Sequence, residues 1–327
     1  MRRWCSAGSR TRTGNPSSLT RWRKRLGPEG LEKLLAATIQ AGLDTGAVPP
    51  SSLERISVDT TVQPKAITHP TDAKLYLKAL IALVRQAKRR GPKLRQAHTR
   101  LAKRATLQVG RYAHARQMRH IRRELKRLKT CLGRVHCGVA RKVAGDAGLS
   151  RRFAPLLGLT ERLLTQERTS KNKLYSLHAP EVVCIAKGKA HRPYGFGSKV
   201  AVAVTNQEGF VLASKSLDGN PYDGHTLRTT MDQVVALTGV EPARIYVDHG
   251  YCGHDFGKTD RVFITRQRRG LTPTIKGELR RRSAIEPMIG HMEADGRLGR
   301  NYLLGVASDA MNPLLVAAGH NLRLILN

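Results

Sequence analysis

Three acidic residues stand where the sequence could place catalytic or metal-binding groups. The runs Arg55-Ile-Ser-Val-Asp59 and Arg244-Ile-Tyr-Val-Asp248 are rich in β-branched residues, and each ends on an aspartate. Each run therefore predicts a short strand that stops on a carboxylate. A third acid, Glu286, lies where the pattern becomes helical. Because side chains alternate between the two faces of a strand, the aspartates leave the apolar face, and we expect all three acids to converge.

The charge of the chain indicates what converging acids would serve. The 327 residues include 58 Lys and Arg against 24 Asp and Glu, a formal net charge of +34. So large a basic excess favours a polyanion, above all nucleic acid, as the partner. Carboxylates in such a protein are typical ligands of Mg²⁺ or Mn²⁺, which also bind phosphate and water. Two such ions roughly 3.5 to 4 Å apart can assist an in-line phosphoryl displacement.

Size and cysteine content restrict the class of protein further. A mass of 36.1 kDa is enough to bury a core. The five cysteines are an odd number scattered along the chain, which argues against a disulfide framework and favours a reducing compartment. No apolar run approaches the roughly 18 residues of a membrane-spanning helix. We therefore expect a cytoplasmic protein that makes no membrane contact.

The residues before the first acid divide into three segments. Residues 1–16 are polar and lack periodicity, so they predict a disordered tail. Residues 17–50 predict a short helical segment that is interrupted at Gly27-Pro28. Residues 51–70 contain the Asp59 strand, which we interpret as the first strand of a catalytic domain.

Residues 71–178 predict a basic helical insertion. Apolar residues recur there at alternating spacings of three and four, which predicts an apolar seam on a cationic helix. The seam consists of Met118, Ile121, Leu125, Leu128, Leu132 and Val135. A break is expected at Arg90-Gly-Pro92, and the pattern weakens after Gly145. We expect DNA contact because the acids needed for salt bridges are missing; the alternative is a solvated charged face.

Residues 179–327 change to the period of two that is typical of strands. Strands are predicted at 182–186, 198–204, 210–214 and 262–265, and helices at 226–237, around Glu286 and at 311–326. With the two aspartate strands, this order predicts an α/β protein. Specifically, it predicts a ribonuclease H-like mixed sheet with flanking helices and a long basic helical insertion after the first strand.

Three blocks of the sequence carry a resemblance to a known family. They are Ser57-Val-Asp-Thr-Thr-Val62, then Gly219-Asn-Pro-Tyr-Asp-Gly-His-Thr-Leu227 with Val247-Asp-His-Gly-Tyr251, and Arg282-Ser-Ala-Ile-Glu-Pro-Met-Ile-Gly-His291 with Gly296-Arg-Leu-Gly-Arg-Asn-Tyr302. On these blocks the chain resembles the DDE transposases of the insertion-sequence five family, over roughly residues 17–327.

The resemblance implies that Asp59, Asp248 and Glu286 are the catalytic triad and the ligands of Mg²⁺ or Mn²⁺, with Asp59 bridging two ions. It implies a DNA transposase with endonuclease activity that cuts the ends of an insertion sequence and joins them to target DNA. Its partners would be double-stranded DNA and a second copy of the chain in a homodimer. No nucleotide cofactor is expected, and the implied location is the nucleoid of a bacterial cell.

Some residues depart from the family pattern. Leu279 stands where members usually have tyrosine, and Glu293 where they usually have a basic residue, so the handling of DNA ends is affected. Members usually carry a longer DNA-binding region before the first aspartate, and we expect a copy shortened at its N-terminus. Two alternatives stay open: a catalytically impaired DNA-binding protein or repressor of transposition, and a metal-dependent nuclease that only hydrolyses DNA.

Several residues near the triad allow more than one interpretation. Arg282 precedes Glu286 by four positions and could form an ion pair on the helix face or clamp a phosphate or carboxylate. The spacing Ser283-x-x-Glu286 also fits a capping box, in which the glutamate would only cap the helix. Asp223 and His225 lie in a Pro/Gly-rich loop, where they would either shape the turn or support the active site.

Cysteine and histidine positions offer a weaker prediction. His249, Cys252 and His254 are close enough in sequence to suggest zinc, but no fourth ligand can be placed, so we do not predict a zinc site. His249 remains a candidate contact near Asp248. Cys131 and Cys137 lack the spacing of a metal site and are predicted to lie on the helical seam.

Overall fold

The computed structural model describes residues 16–187 and 193–327. The first helix, α1 (Pro16–Asp44), is interrupted at Gly27, whose backbone is non-helical with φ 62° and ψ −175°. The predicted break at Gly27-Pro28 is therefore confirmed. Apart from Pro16, the predicted tail lies outside the described residues.

A mixed sheet of six strands forms the centre of the α/β fold. The strands are β1 (Arg55–Pro64), β2 (Val183–Ala186), β3 (Tyr194–Thr205), β4 (Val211–Leu217), β5 (Arg244–Val247) and β6 (Val262–Ile264). Their order is β2-β3-β1-β5-β6, and β4 also pairs with β3. β3 is antiparallel to β1, β2 and β4, whereas β5 is parallel to β1 and β6. Because β3 is bonded on both sides, its continuous run of apolar residues 200–204 is buried.

The first strand does not stop at its aspartate. β1 continues to Pro64, and Asp59 pairs with Val202 in the middle of the β1–β3 ladder. The prediction that this strand ends at Asp59 was therefore wrong. The β-branched residues that follow, Thr60 to Val62, suit a pleated strand and extend the pairing with β3. The second strand, β5, does end at Val247, immediately before Asp248.

Helices cover the sheet and complete one hydrophobic core. They are α1, α6 (Leu227–Thr238), α8 (Ile285–Ala294) and α9 (Val306–Leu326). The helix before α8, α7 (Pro273–Arg281), has no buried residue and lies outside this core. α1 packs against α6 and α9, and both of those helices pack against β4. Residues of β1, β5 and α8, such as Ile56, Val247 and Met288, share this core. The core therefore fixes the three elements that carry Asp59, Asp248 and Glu286.

The segment between β1 and β2 contains four helices with a separate core. They are α2 (Asp72–Arg90), α3 (Thr99–His114), α4 (Met118–Val143) and α5 (Ala147–Thr165). α2 ends at Gly91, which takes the left-handed conformation of a helix C-cap and confirms the predicted break. α5 continues the helical region well beyond Gly145, where the sequence pattern had predicted weakening.

The predicted seam on α4 is confirmed only in part. Leu128, Leu132 and Val135 are buried in the second core, together with Cys131. Met118 and Cys137, however, are exposed, so their assignment to the seam was wrong. Met118 is the first residue of α4, and Cys137 lies on the solvent face of that helix. No helix within the described ranges is long and apolar enough to cross a membrane.

Candidate functional site

The parallel pairing of β1 and β5 places Asp59 and Asp248 next to each other. Arg55 pairs with Arg244, and the register continues through the next two residues of each strand. Asp59 and Asp248 each lie four residues beyond these paired arginines. Since parallel strands keep a constant register, the two aspartates lie level with each other on neighbouring strands.

Arg282 connects the third acid to this pair. Its Nη2 atom donates to Asp59 Oδ2 at 2.7 Å, and its Nη1 atom lies 3.7 Å from Glu286 Oε1. The arginine side chain is only 9% exposed, whereas that of Glu286 is 68% exposed. Arg282 thus spans two carboxylates and supplies countercharge to the buried one. It combines both of the roles predicted for it, an ion pair on the helix face and a carboxylate clamp.

The capping-box interpretation of Glu286 was wrong. Ser283 Oγ donates to the carbonyl oxygen of Arg280 at 3.0 Å, and no side chain caps the start of α8. A short 3₁₀ turn, Arg282–Ala284, joins α7 to α8, so Ser283 is already part of a helical turn. Glu286 is therefore not held as a cap, and its carboxylate remains free to face solvent or a ligand.

The acids of the site influence one another electrostatically. The pKa of Asp59 is raised from 3.8 to about 6, chiefly because burial disfavours the carboxylate. Arg282 and the backbone N–H of Thr60 lower this pKa, while the negative charges of Asp248 and Glu286 raise it. All three predicted acids therefore lie close enough to act on the same carboxyl group. The site holds more negative charge than its buried arginine can balance.

A fourth carboxylate, Asp223, joins the cluster from the loop before α6. Its Oδ1 atom accepts a hydrogen bond from Thr60 Oγ1 at 2.6 Å and lies 2.6 Å from Lys199 Nζ. This contact places Asp223 against Thr60, the residue after Asp59 on β1, and the role of Asp223 in supporting the site stays a prediction. A β-carbon on Gly250 would lie 3.0 Å from Asp248 Oδ1 and 3.3 Å from Asp223 Oδ2. A side chain at residue 250 would crowd both carboxylates, so the glycine leaves room for them to approach each other.

Tyr251 lies beneath the cluster and is fully buried. Burial raises the pKa of its hydroxyl group well above 10.0, and the negative charges of Asp59, Asp223 and Asp248 raise it further. The phenol therefore stays protonated in this anionic environment. Tyr251 is therefore a buried residue that lies close to the three aspartates.

Two histidines predicted near the site do not join the acid cluster. His225 is exposed, and its ring packs edge-on against Tyr222, with ring centres 5.5 Å apart. His249 is also exposed, and its Nδ1 atom lies 3.3 Å from Cys252 Sγ. Both residues follow their aspartates by one or two positions, and the local 3₁₀ turns direct them to the surface.

Sequence reasoning missed the hydroxyl and amine groups that hold the acids. Lys199 lies in the apolar strand β3 and is buried against Asp223. A lysine within an apolar strand needs an acidic partner, and this signal in the sequence could have identified Lys199 as part of the site. Thr61 Oγ1 donates to Glu293 Oε1 at 2.9 Å. Glu293, noted only as a departure from the family pattern, therefore ties α8 to β1 beside Asp59.

The acids are not gathered into a formed metal site. Across residues 16–187 and 193–327, no three His, Cys, Asp or Glu side chains are arranged to hold a metal ion. The exposure of Glu286 and the position of Arg282 between it and Asp59 account for this. The donor atoms and the excess negative charge nevertheless suit a hard divalent cation.

The helical insertion is almost uniformly cationic. Residues 71–178 contain 28 Lys and Arg but five Asp and Glu. Both salt bridges described in this region involve Glu124, which lies 3.9 Å from Arg123 Nε and 3.8 Å from Arg127 Nη1. Most of the positive charge is therefore presented to solvent, where it can neutralise a polyanion.

Comparison with known proteins gives a partial relative. The chain is 65% identical over 101 residues to a protein of Rhizobium meliloti described as "Uncharacterized protein ORF8 in nfe locus". The alignment covers 31% of this chain and 49% of the relative, so the chain spans about half the length of the curated relative it matches. No protein-family profile and no solved structure matches the chain.

Proposed function

We propose that this chain is the catalytic chain of a metal-dependent DNA transposase. It would cut DNA at the ends of an insertion sequence and join those ends to target DNA. The observation that carries the proposal is the convergence of acids from three elements, β1, β5 and α8, in a protein with a formal charge of +34. A basic protein that concentrates carboxylates at one place is suited to phosphoryl transfer on a polyanion.

The topology supports a ribonuclease H-like domain. Strand β3 pairs antiparallel with both β1 and β4, and these strands are followed by a helix, a strand that ends beside an acid, another strand and a helix that carries an acid. This is the element order that the sequence predicted for such a domain. β1 lies between β3 and β5, so the first acid is central in the sheet and within reach of the other two.

Asp59, Asp248 and Glu286 are the proposed ligands of Mg²⁺ or Mn²⁺, which would polarise the scissile phosphate and activate the attacking oxygen. These residues fit such an ion in donor type, because all three are carboxylates. They also fit in charge, because burial and neighbouring anions raise the pKa of Asp59, and a cation would offset that negative charge. Asp223, held by Lys199 and Thr60, would position Asp248 across Gly250. Arg282 would exchange its contact with Asp59 for a DNA phosphate.

The helical insertion would hold the DNA backbone. Its cations lack acidic partners, so phosphate contacts would position a duplex without reading its sequence. Cutting would proceed by attack of water at a phosphodiester, with a 3′-hydroxyl as leaving group. Joining would proceed by attack of that 3′-hydroxyl on a phosphodiester of target DNA, which forms the new bond and releases a 3′-hydroxyl of the target strand. Because both ends must be cut and joined together, we propose that a homodimer acts.

Cleavage and joining of DNA would test this function directly. The substrate is a plasmid carrying the genomic DNA that flanks the reading frame of this chain on both sides, with Mg²⁺ or Mn²⁺ and a second target plasmid. We expect excision and joined products from the unaltered chain and none from Asp248→Asn. Asp232→Asn, an exposed aspartate on α6, is the matched control and should retain activity.

Two other outcomes would identify the alternative functions. Cut ends that are never joined would indicate a metal-dependent nuclease, because hydrolysis needs the same acids but no second transfer. Binding without any cutting would indicate a DNA-binding protein or repressor of transposition. The acids would then be retained without catalysis.

A further inference from the structure

The loop between α8 and α9 exposes an unusual group of apolar side chains. Tyr302 is 62% exposed, Leu304 is 70% exposed and Val306 is 62% exposed. Neighbouring exposed apolar residues are a typical sign of a binding surface, whereas single ones are common everywhere. This exposed apolar loop, residues 302–306, ends on Val306, the first residue of α9, and plays no part in either hydrophobic core.

The loop stands on a rigid polar support. Asn301 is buried, its backbone N–H donates to Pro64 O at 2.7 Å, and its carbonyl oxygen accepts from Ala66 N at 2.8 Å. Asn301 Nδ2 donates to Asp309 Oδ1 at 2.7 Å, and that carboxylate also pairs with Lys65 at 2.6 Å. The base of the loop is therefore tied to the end of β1, the strand that carries Asp59. Because the loop is fixed at this end, its apolar side chains are held in solvent by the surrounding structure.

Positive charge accompanies the exposed ring. The guanidinium of Arg300 lies over the Tyr302 ring, 5.2 Å from its centre, and the ring makes no other aromatic contact within the described ranges. Arg297 is exposed three residues earlier. A cation on one face polarises the ring, and the opposite face can stack on a flat group. Aromatic rings beside arginines are typical of surfaces that stack on nucleobases.

We propose that this exposed apolar loop stacks on unpaired bases of DNA. Tyr302 would be the stacking ring, and Leu304 would insert between base steps as an apolar wedge. DNA opened beside a cut offers such bases, and apolar side chains inserted between base steps stabilise an opened duplex. This inference rests on the proposed function only in taking DNA as the ligand. It adds that the bound DNA has locally unpaired bases, and that these lie against the protein near the end of β1.

A second copy of the chain is a less suitable occupant. Three exposed side chains cannot supply the roughly 800 Å² per partner of a stable protein interface. Two chains of formal charge +34 also repel each other unless acids meet the bases, and the exposed side chains nearest this loop in sequence, Arg297 and Arg300, are arginines. A polyanion with flat apolar groups, such as DNA, matches both the positive charge beside the loop and its exposed apolar side chains.

Binding to two DNA probes would test the inference. One probe is a fully paired duplex, and the other is the same duplex with a two-base mismatch bubble that contains 2-aminopurine. Anisotropy is measured in EDTA at one salt concentration, so neither metal nor cleavage is required. We expect the unaltered chain to bind the bubble at least about fivefold more tightly, since each stacked base gives a several-fold or larger gain, and to change the 2-aminopurine fluorescence.

Variants separate stacking from folding. Tyr302→Ala should lose the preference for the bubble but retain duplex binding, and Tyr302→Phe should keep the preference. Leu326→Ala is the control, because Leu326 is 83% exposed at the far end of the 21-residue helix α9. A bubble preference absent from the unaltered chain, or unchanged in Tyr302→Ala, would overturn the inference. So would a change in sedimentation of Tyr302→Ala, which would identify a second copy as the occupant. The proposed transposase activity is unaffected by these results, because it is measured separately by cleavage.

Discussion

The sheet region and the helical insertion use acidic residues in opposite ways. In the sheet region, Asp59, Asp223, Asp248 and Glu286 come together, and Lys199 and Arg282 offset only part of their negative charge. In the insertion, residues 71–178, five acids face 28 cations, and the salt bridges described there all involve Glu124. Each region also has its own hydrophobic core.

This difference teaches that net charge alone does not locate function. The same chain is strongly basic overall, yet its acids are concentrated where three elements of the sheet region meet. A surface with unpaired cations can attract DNA but offers no groups for chemistry. A carboxylate cluster can hold a catalytic cation but would repel DNA by itself. The proposed function therefore places DNA binding and chemistry in different regions.

The substitution with the largest expected effect tests whether DNA cleavage depends only on the sheet region. Asp248→Asn should reduce cleavage by at least about a thousandfold, or about 4 kcal/mol in activation free energy, because it removes a charge from the acid cluster. Duplex binding, measured by anisotropy, should change less than twofold. A comparable loss of cleavage in Asp232→Asn, or strong loss of binding in Asp248→Asn, would contradict the assignment.

The independence of the two cores can be tested by hydrogen exchange. Leu132→Ala removes a fully buried side chain from α4 and should lower the free energy of unfolding of the insertion by about 2 to 5 kcal/mol. Faster exchange should be confined to the four helices that share this core, α2, α3, α4 and α5. Met118→Ala, at an exposed position of the same predicted seam, should stay within about 0.5 kcal/mol. Equal loss of protection in β1 and β3 would mean that the regions unfold together.

The pH dependence of stability should reveal the buried acid of the sheet region. Folding raises the pKa of Asp59 from 3.8 to about 6, so the folded state binds more protons between these values. The free energy of unfolding should therefore fall as the pH rises from about 4 to about 6, by up to about 3 kcal/mol, and then level off. Denaturant titrations in EDTA would measure it.

Comparison of variants isolates the contribution of Asp59. Asp59→Asn should remove this part of the pH dependence, because the amide cannot ionise. Asp232→Asn should leave it unchanged. Identical pH profiles for Asp59→Asn and the unaltered chain would show that the slope comes from other groups, such as Asp309, whose pKa is also raised by burial.

The smallest expected effect concerns single charges of the insertion. Arg119 and Arg122 are exposed on α4 and have no ion pair among the contacts of the described residues. Replacing both with glutamine should make the slope of log affinity against log salt shallower by up to about 1.8. Replacing both with lysine preserves the charge and should leave the slope unchanged. A slope that is the same in the glutamine variant would place the DNA elsewhere.

Much of the architecture could be predicted from local sequence. The period of two identified the strands of residues 179–327, the period of three to four identified α4, and Gly27 and Gly91 marked breaks. These signals are local because they reflect backbone preference and one buried face. Met118 and Cys137 show the limit, since periodicity cannot tell which part of a helix its neighbours cover.

The sequence by itself determined which residues could do chemistry: three acids in recognisable contexts and a large excess of positive charge. Only the tertiary structure decided how they meet. The parallel register of β1 and β5 brings Asp59 level with Asp248, although 188 residues separate them along the chain. Lys199, Thr60 and Glu293 became part of the site only through long-range pairing. The physical reason is that electrostatic contacts depend on distances in space, and these are set by the packing of the whole sheet.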